Sequence, residues 1–519
     1  MIKELHKEAQ HLRANLSQLQ QRQLDKLLAK LSDLIGGQEM TELVKRREID
    51  KLLQVKNLIQ AIYLLLKQKV FNGKVLWEWE VGEKGYSLLD PEYQDKYKIK
   101  FDPDFSQDGQ RVVTKIENLE NKNYAGIAVD GRPWDYESYA IMGKEISGDG
   151  QVIVGKVRKD QKDKLIINNK KEWKTLVESS LGHDEIAMNN DGSVIAAIHC
   201  LYPVGIGHLV VNDKIWPQLY YNITNIRISP DSQKIAATVE TIDTDAKWSN
   251  TSSNKHTITV NDKLWEREFE ECSAPFISPD SQKIAATVKI GNQGWTVCVD
   301  GKKPWSKKYN YVSNPCWSPD SKKIAVAVND KDDPYALLSV DQKEWRKKGY
   351  DSCGLMAWSP DSQKLATFLK PEYSTDDYVL FINKKEIDHV NREGAGSRFV
   401  WSPDSQKYAY KRKRFNERDR LIVAGKEWKI KAESYYLQEF SPDSQKFAVI
   451  ISQKYDQEDQ DKYYQNYYDQ LVINDQVIPE KYHVIRNFSF SPDSQKIMFV
   501  VKKQDGEWYR IVKDVSDIK

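Results

Sequence analysis

The chain has little that would supply chemistry or a membrane anchor. Its five cysteines (Cys200, Cys272, Cys298, Cys316, Cys353) form no C-x-x-C pair and no C-x-x-C-H haem attachment. Odd in number and irregular in spacing, they indicate neither a disulfide framework nor a zinc site. They read as small buried hydrophobes in a reducing compartment. The longest apolar run, Ala61 to Leu66, falls far short of the roughly 20 residues a membrane span requires. Met1-Ile2-Lys3-Glu4 opens a charged stretch, so no signal peptide and a cytoplasmic location are expected. Charge of one sign is lacking too: the net charge is +2 despite 78 basic residues, which argues against a dedicated nucleic-acid surface. No G-x-S-x-G elbow occurs, Gly205-Ile206-Gly207 is an isolated G-x-G, and the eight histidines are scattered without a metal-like pair.

What the chain has in abundance is one turn. Ser-Pro-Asp-Ser stands at Ser229, Ser278, Ser318, Ser359, Ser402, Ser441 and Ser491. Each copy follows a large apolar residue and precedes a run such as Ile284-Ala285-Ala286-Thr287-Val288. Proline at the second position pre-sets φ for a type I turn, and Asp and Ser can bond back to nearby amides. The pattern is strand, turn, strand. Degraded copies lie around Asp108, Asp149 and Asp191, so ten turn carboxylates run from Asp108 to Asp493 at spacings of 39 to 50 residues. A second turn lies between them, as in Val260-Asn261-Asp262-Lys263-Leu264-Trp265 and Val211-Asn212-Asp213-Lys214-Ile215-Trp216. Asn-Asp and Asp-Gly are hairpin dipeptides, so each unit holds two hairpins and four strands.

Four strands per unit of about 40–45 residues is the period of a propeller blade. The expected fold is all-β, a WD40-like β-propeller of about ten units over residues 70–519, forming a single ring or two smaller rings. Phe71-Asn72-Gly73-Lys74 with Trp77 resembles the second turn, and Trp508 to Val515 resembles a lone third strand. A strand near residues 70–77 is therefore expected to complete the last blade and hide its edge. Two long units gain Glu240 to His256 and Gln453 to Gln470, both after the strand that follows the Asp turn, and so on one face. Residues 1–69 differ in kind: leucines at helical spacing, broken by Gly36-Gly37, predict an antiparallel helical hairpin, either a cap on the ring or a docking arm for a partner.

The repeated carboxylates Asp231, Asp280, Asp320, Asp361, Asp404, Asp443 and Asp493 invite comparison with a ligand-binding ring, but identical side chains at every hairpin read first as turn caps. Trp317, Trp358 and Trp401 occupy the position before the turn that Ile or Phe fills elsewhere. That interchange marks a core stripe, with contact to a partner as the functional alternative. Asp330, Asp332 and Asp333 lack the glycine and distal Glu of a calcium loop. The run Lys411 to Arg414 reads as a solvated strand edge. No catalytic, metal or cofactor constellation emerges. The task expected is that of a scaffold, with a small-molecule or glycan-binding ring as the alternative.

The Ser-Pro-Asp-Ser-Gln-Lys-Ile-Ala units resemble the PD40 subgroup of WD40-like repeats, also found in the periplasmic TolB family. A helical N-terminal segment, Trp77-Glu78-Trp79, and alternating Val-Asp-Gly-Lys-x-x-Trp and Ser-Pro-Asp-Ser motifs are similar to the tryptophan-rich D subunit (TmcD) of the Tmc membrane redox complex. That resemblance implies a cytoplasmic, cofactor-free accessory subunit, peripheral on the inner membrane through its partners. The partners implied are a multihaem cytochrome c, a membrane cytochrome b and an iron–sulfur protein. It supplies no catalytic residues to carry over.

Overall fold

Ile284-Ala285-Ala286-Thr287-Val288 is buried along its whole length, unlike the half-exposed alternation of a strand with one wet face. Such a strand must be covered on both sides, and the computed structural model shows how. It describes residues 82–519 apart from segments 101–102, 107–110, 122–123, 136–139, 160–161, 176–185, 202–205, 242–254, 331–332, 373–376, 392–398, 413–419, 455–466, 504–505 and residue 519. The predicted helical hairpin 1–69 and the strand near 70–77 lie outside the described residues.

The described chain forms a ten-blade β-propeller, each blade an antiparallel sheet. Within a blade the strands run from inside to outside as a, b, c and d. In blade 4 these are Asn222–Ile228, Ile235–Thr241, Lys255–Val260 and Lys263–Leu264. Blade 5 departs from the expected four strands, because its d segment forms no paired strand among the described residues. There Pro304 adds a residue without an amide donor between turn and tryptophan, although Trp305 N still donates to Val297 O.

The core is a succession of seams between neighbouring blades. Ala236, Ile258 and Trp265 of blade 4 pack on Ile284, Ala286, Val288 and Cys298 of blade 5. Equivalent layers join blades 5 and 6 through Ala285, Val297, Ile324 and Val326, and blades 9 and 10 through Ala448, Leu471, Ile497 and Phe499. The seam between blades 5 and 6 is continuous with the others, so the ten units form one series and not two five-blade rings. The tryptophan after the second turn lies in these seams: Trp173 is 1% exposed, and Trp134, Trp265 and Trp428 are nearly as buried. Gly301 shows how tightly they fit. At φ +65°, a Cβ there would stand 2.6 Å from Trp265 Cγ.

Blade 10 is built from both ends of this unit. Its a, b and c strands are Val484–Phe490, Lys496–Lys502 and Trp508–Asp514, and its outermost strand is Gly82–Ser87. Gly82 pairs with Val512 and Ser87 with Tyr509. The chain then passes to blade 1, with Leu88 N donating to Trp508 O and Asp90 N to Gly131 O.

Candidate interaction faces of the ring

Antiparallel order fixes which connections share a face. The a–b and c–d turns lie on one face, here the turn face, and the b–c loops and d–a connections lie on the other, the loop face. Both long insertions, 242–254 and 455–466, are b–c connections and belong to the loop face, in blades 4 and 9.

On the turn face each Ser-Pro-Asp-Ser copy has the same wiring. In blade 5, Ser281 N donates to Ser278 O, closing the β-turn. Ser278 Oγ donates to Asp280 Oδ1 at 2.6 Å and accepts Lys283 N at 2.9 Å, while Asp280 Oδ1 also accepts Gln282 N at 3.0 Å. The second serine is left-handed, with φ between 59° and 63° at Ser232, Ser281, Ser321, Ser362, Ser405, Ser444 and Ser494. Non-glycine residues rarely hold that conformation, and the degraded turns put Gly150 and Gly192 there. Serine brings a hydroxyl that reaches the preceding blade. Asp231 N donates to Ser281 Oγ, Asp280 N to Ser321 Oγ, Asp320 N to Ser362 Oγ, Asp361 N to Ser405 Oγ, Asp404 N to Ser444 Oγ and Asp443 N to Ser494 Oγ, all within 2.9–3.1 Å. Seven consecutive blades, 4 to 10, are thereby joined turn to turn.

The turn lysine adds a second link. Lys234 Nζ donates to Ser281 O and Gln282 O, Lys364 Nζ to Ser405 O and Lys407 Nζ to Ser444 O. The hydroxyl of Ser229 and the Gln233 N–H hold the Asp231 carboxyl below the usual carboxylate range, and the same pair of donors, Ser278 and Gln282, does so at Asp280. Asp320 is lowered chiefly by Ser318; at Asp361 burial pushes upward and is outweighed by Ser359 and Gln363. Of the seven carboxylates singled out in the sequence, six send their amide to the next blade, and Asp493 caps its own turn through Ser491 and Gln495, with no bond to a neighbouring blade among the described residues.

Trp317, Trp358 and Trp401 end the a strands of blades 6, 7 and 8 and form a staircase. Trp317 Nε1 donates to Phe276 O, Trp358 Nε1 to Cys316 O and Trp401 Nε1 to Ala357 O, at 2.8–3.1 Å. Each indole bonds the inner strand of the blade before it. Lys323 and Lys364 lie 5.4 and 5.8 Å from the ring centroids of Trp358 and Trp401. The three rings face neighbouring blades and are not arranged as one exposed cluster.

Two further devices are not among the sequence-based expectations. Thr238 and Thr287 donate their hydroxyls to Ser273 O and Ser313 O on the next inner strand. Near the rim, Asp213, Asp262 and Asp475 of the second turns accept amides from the preceding blade, as with Lys429 N and Ile430 N on Asp475. Only the repetition of an Asp at the second turn position signals the latter. Burial raises the Cys272, Cys316 and Cys353 thiols, and pushes Cys298 up to about 12, which suits inert packing.

The loop face is different. Tyr221 and Tyr311 stand exposed at the start of the a strands of blades 4 and 6, and Tyr467 at the start of a c strand of blade 9. Among the described residues no group of three or more His, Cys, Asp or Glu side chains is placed to hold a metal ion, and no helix is long and apolar enough to cross a membrane.

No protein-family model and no curated protein matches the chain. Solved structures do. A crystal structure described as that of the eukaryotic initiation factor is 12% identical over 65% of this chain and 89% of that one, with a TM-score of 0.41. The Dos1 propeller is 11% identical over 61% and 92%, with a TM-score of 0.34. The β-propeller domain of the Trilobed protease from Pyrococcus furiosus is 14% identical over 56% and 95%, with a TM-score of 0.27. These are likenesses of fold.

Proposed function

We propose that this chain is a non-catalytic scaffold that presents the loop face of a rigid ring to protein partners. The observation that carries this reading is the asymmetry of the faces. Turn-to-turn bonds bind the blades together on one face, whereas the two long insertions both belong to the other. Binding residues are disproportionately placed on loops held by a rigid frame. The sequence resemblance to the D subunit of the Tmc complex supports a finer form of the proposal. The scaffold would be a cytoplasmic accessory subunit of a membrane-associated electron-transfer assembly, with cytochrome b, cytochrome c and iron–sulfur subunits as its partners. Co-purification from native membranes through a tag at Lys519, with mass spectrometry of the captured proteins, tests both levels. Haem- and iron–sulfur-containing subunits support the finer reading, other proteins support only the scaffold, and the chain alone in the soluble fraction opposes both.

The exposed Tyr221 and Tyr311 favour a second reading, a ring that holds a glycan or small molecule. Intrinsic fluorescence that stays unchanged across a panel of sugars and metabolites counts against it.

A further inference from the structure

The outer wall of the ring is not electrostatically uniform. Blade 4 carries exposed Glu266 and Glu268 after its d strand, and the place of Glu268 is held in blade 6 by Lys348; with Lys302 and Lys303 of blade 5 and Lys343 of blade 6, which follow the second turn directly, four exposed lysines stand on this wall. None of these four lysines has a carboxylate partner among the described residues. The two walls adjoin: Ser306 N and Oγ of blade 5 both donate to Gln342 Oε1 of blade 6, at 3.2 and 3.3 Å. The carboxylates nearby are already engaged. Glu344 accepts Lys307 at 2.8 Å, Tyr309 Oη at 2.6 Å and Arg346 at 3.1 Å, and Asp330 also takes Lys307 at 2.8 Å.

We infer that this lysine wall over blades 5 and 6 is a second docking surface, for an acidic segment of a partner protein. A lysine on an outer strand often serves only to block edge pairing. Blades 3 and 4 each carry one such lysine directly after the second turn, Lys214 and Lys263, in the place of Lys302 and Lys343, whereas Lys303 and Lys348 come in addition. Blades 5 and 6 carry an uncompensated excess, and Lys308 is crowded: burial, then the charge of Lys303, lower its pKa. A single-stranded nucleic acid fits less well, because it needs open aromatic faces for its bases. Here Trp305 packs on the seam with Tyr309 and Val297, and Trp345 lies edge-on to Phe381. Carboxylates of an extended peptide need only the ammonium groups.

The inference deepens the scaffold reading and rests on it, but it is tested separately. The probe is a fluorescein-labelled twelve-residue peptide of alternating Glu and Asp, titrated with the full chain and read by anisotropy. Binding that falls at least about tenfold in a Lys302→Glu/Lys303→Glu/Lys343→Glu/Lys348→Glu variant, and weakens with added salt, supports the surface. A control, Lys385→Glu/Lys426→Glu on blades 7 and 8, is expected to bind within about twofold of the unaltered chain; both variants are checked for unchanged circular dichroism. Absence of peptide binding, equal weakening by the control, or tighter binding of a twelve-residue oligothymidine overturns it. Partners captured through the loop face without peptide binding would remove this surface and leave the scaffold standing. Peptide binding without captured partners would do the reverse.

Discussion

The two faces of the ring are made from the same ten blades, yet they solve different problems. On the turn face, every Ser-Pro-Asp-Ser copy commits its serines, aspartate and lysine to its own turn or to a neighbouring blade. On the loop face, the connection between b and c strands is as short as the two residues between Lys159 and Lys162 in blade 2 or between Asp330 and Asp333 in blade 6 and as long as segments 242–254 and 455–466. Sequence uniformity and hydrogen bonding coincide on one side, and variation in length on the other. The lesson is that a repeated polar residue can be repeated because it joins neighbours, and a ring of identical carboxylates need not be a site.

The comparison breaks most severely if closure fails. A chain beginning at Leu88 lacks Gly82–Ser87 and leaves Trp508–Asp514 as an open edge, which invites association with other chains. Loss of a single cooperative unfolding transition and a shift to aggregates are expected in size-exclusion chromatography. A monomer with unaltered unfolding would show that the ring does not depend on that strand.

The turn face comes next. Ser318 is fully buried, and its hydroxyl serves Asp320 and Lys323 N. Ser318→Ala leaves the partly buried Lys323 amide unpaired and should cost about 1 kcal/mol in denaturant unfolding. Ser321 separates strain from bonding. Ser321→Ala keeps the left-handed backbone without the hydroxyl that accepts Asp280 N, whereas Ser321→Gly loses the bond but relieves the backbone. The alanine variant should be less stable than the glycine variant by roughly 1 kcal/mol. Equal stabilities would mean that the left-handed serine carries no strain.

Acid should act on the same face. Asp231, Asp280, Asp320 and Asp361 have folded-state values below the ordinary one. Their contribution is therefore present above about pH 4, the ordinary Asp value, and is lost as pH falls through the lowered folded values. Glu344 behaves likewise: burial opposes ionisation, but Lys307, Tyr309 and Arg346 hold it at about 2. Urea midpoints should be flat from pH 7 to 5 as far as these groups are concerned and drop below pH 4. Asn at the four turn positions should flatten that drop, and an unchanged acid limb would place the sensitivity elsewhere.

How much of the ring is legible in the sequence depends on what repeats. Ten turn carboxylates mark ten blades, and paired hairpin signals mark four strands in nearly all of them, because turn chemistry is local. The described strand that completes blade 10 is Gly82–Ser87, and the expected strand near 70–77 lies outside the described residues. Gly82-Glu83-Lys84-Gly85-Tyr86-Ser87 has almost no apolar alternation, being an outermost strand with a partner on one side only among the described residues. The interchange of Trp with Ile and Phe is enough to point the three indoles at the core, but their bonds to Phe276, Cys316 and Ala357 join residues about 41 to 44 positions apart. No local pattern encodes such a contact. The same holds for the lysine wall, which arises only when blades 5 and 6 are set side by side.

The smallest effect on stability is the most informative for function. Replacing 242–254 by a short Gly-Ser hairpin loop alters no turn-face bond and removes no described core residue. Surface changes of that kind stay within about 0.5 kcal/mol, so the unfolding midpoint should hold. If the loop face binds the partner, capture from native membranes should nevertheless be lost. The reciprocal variant, Ser321→Gly, should lower stability slightly and leave capture intact. A chain that loses its partner through the turn face and keeps it without the insertion would reverse the assignment of the two faces, because the face built for cohesion would then also be the one that binds.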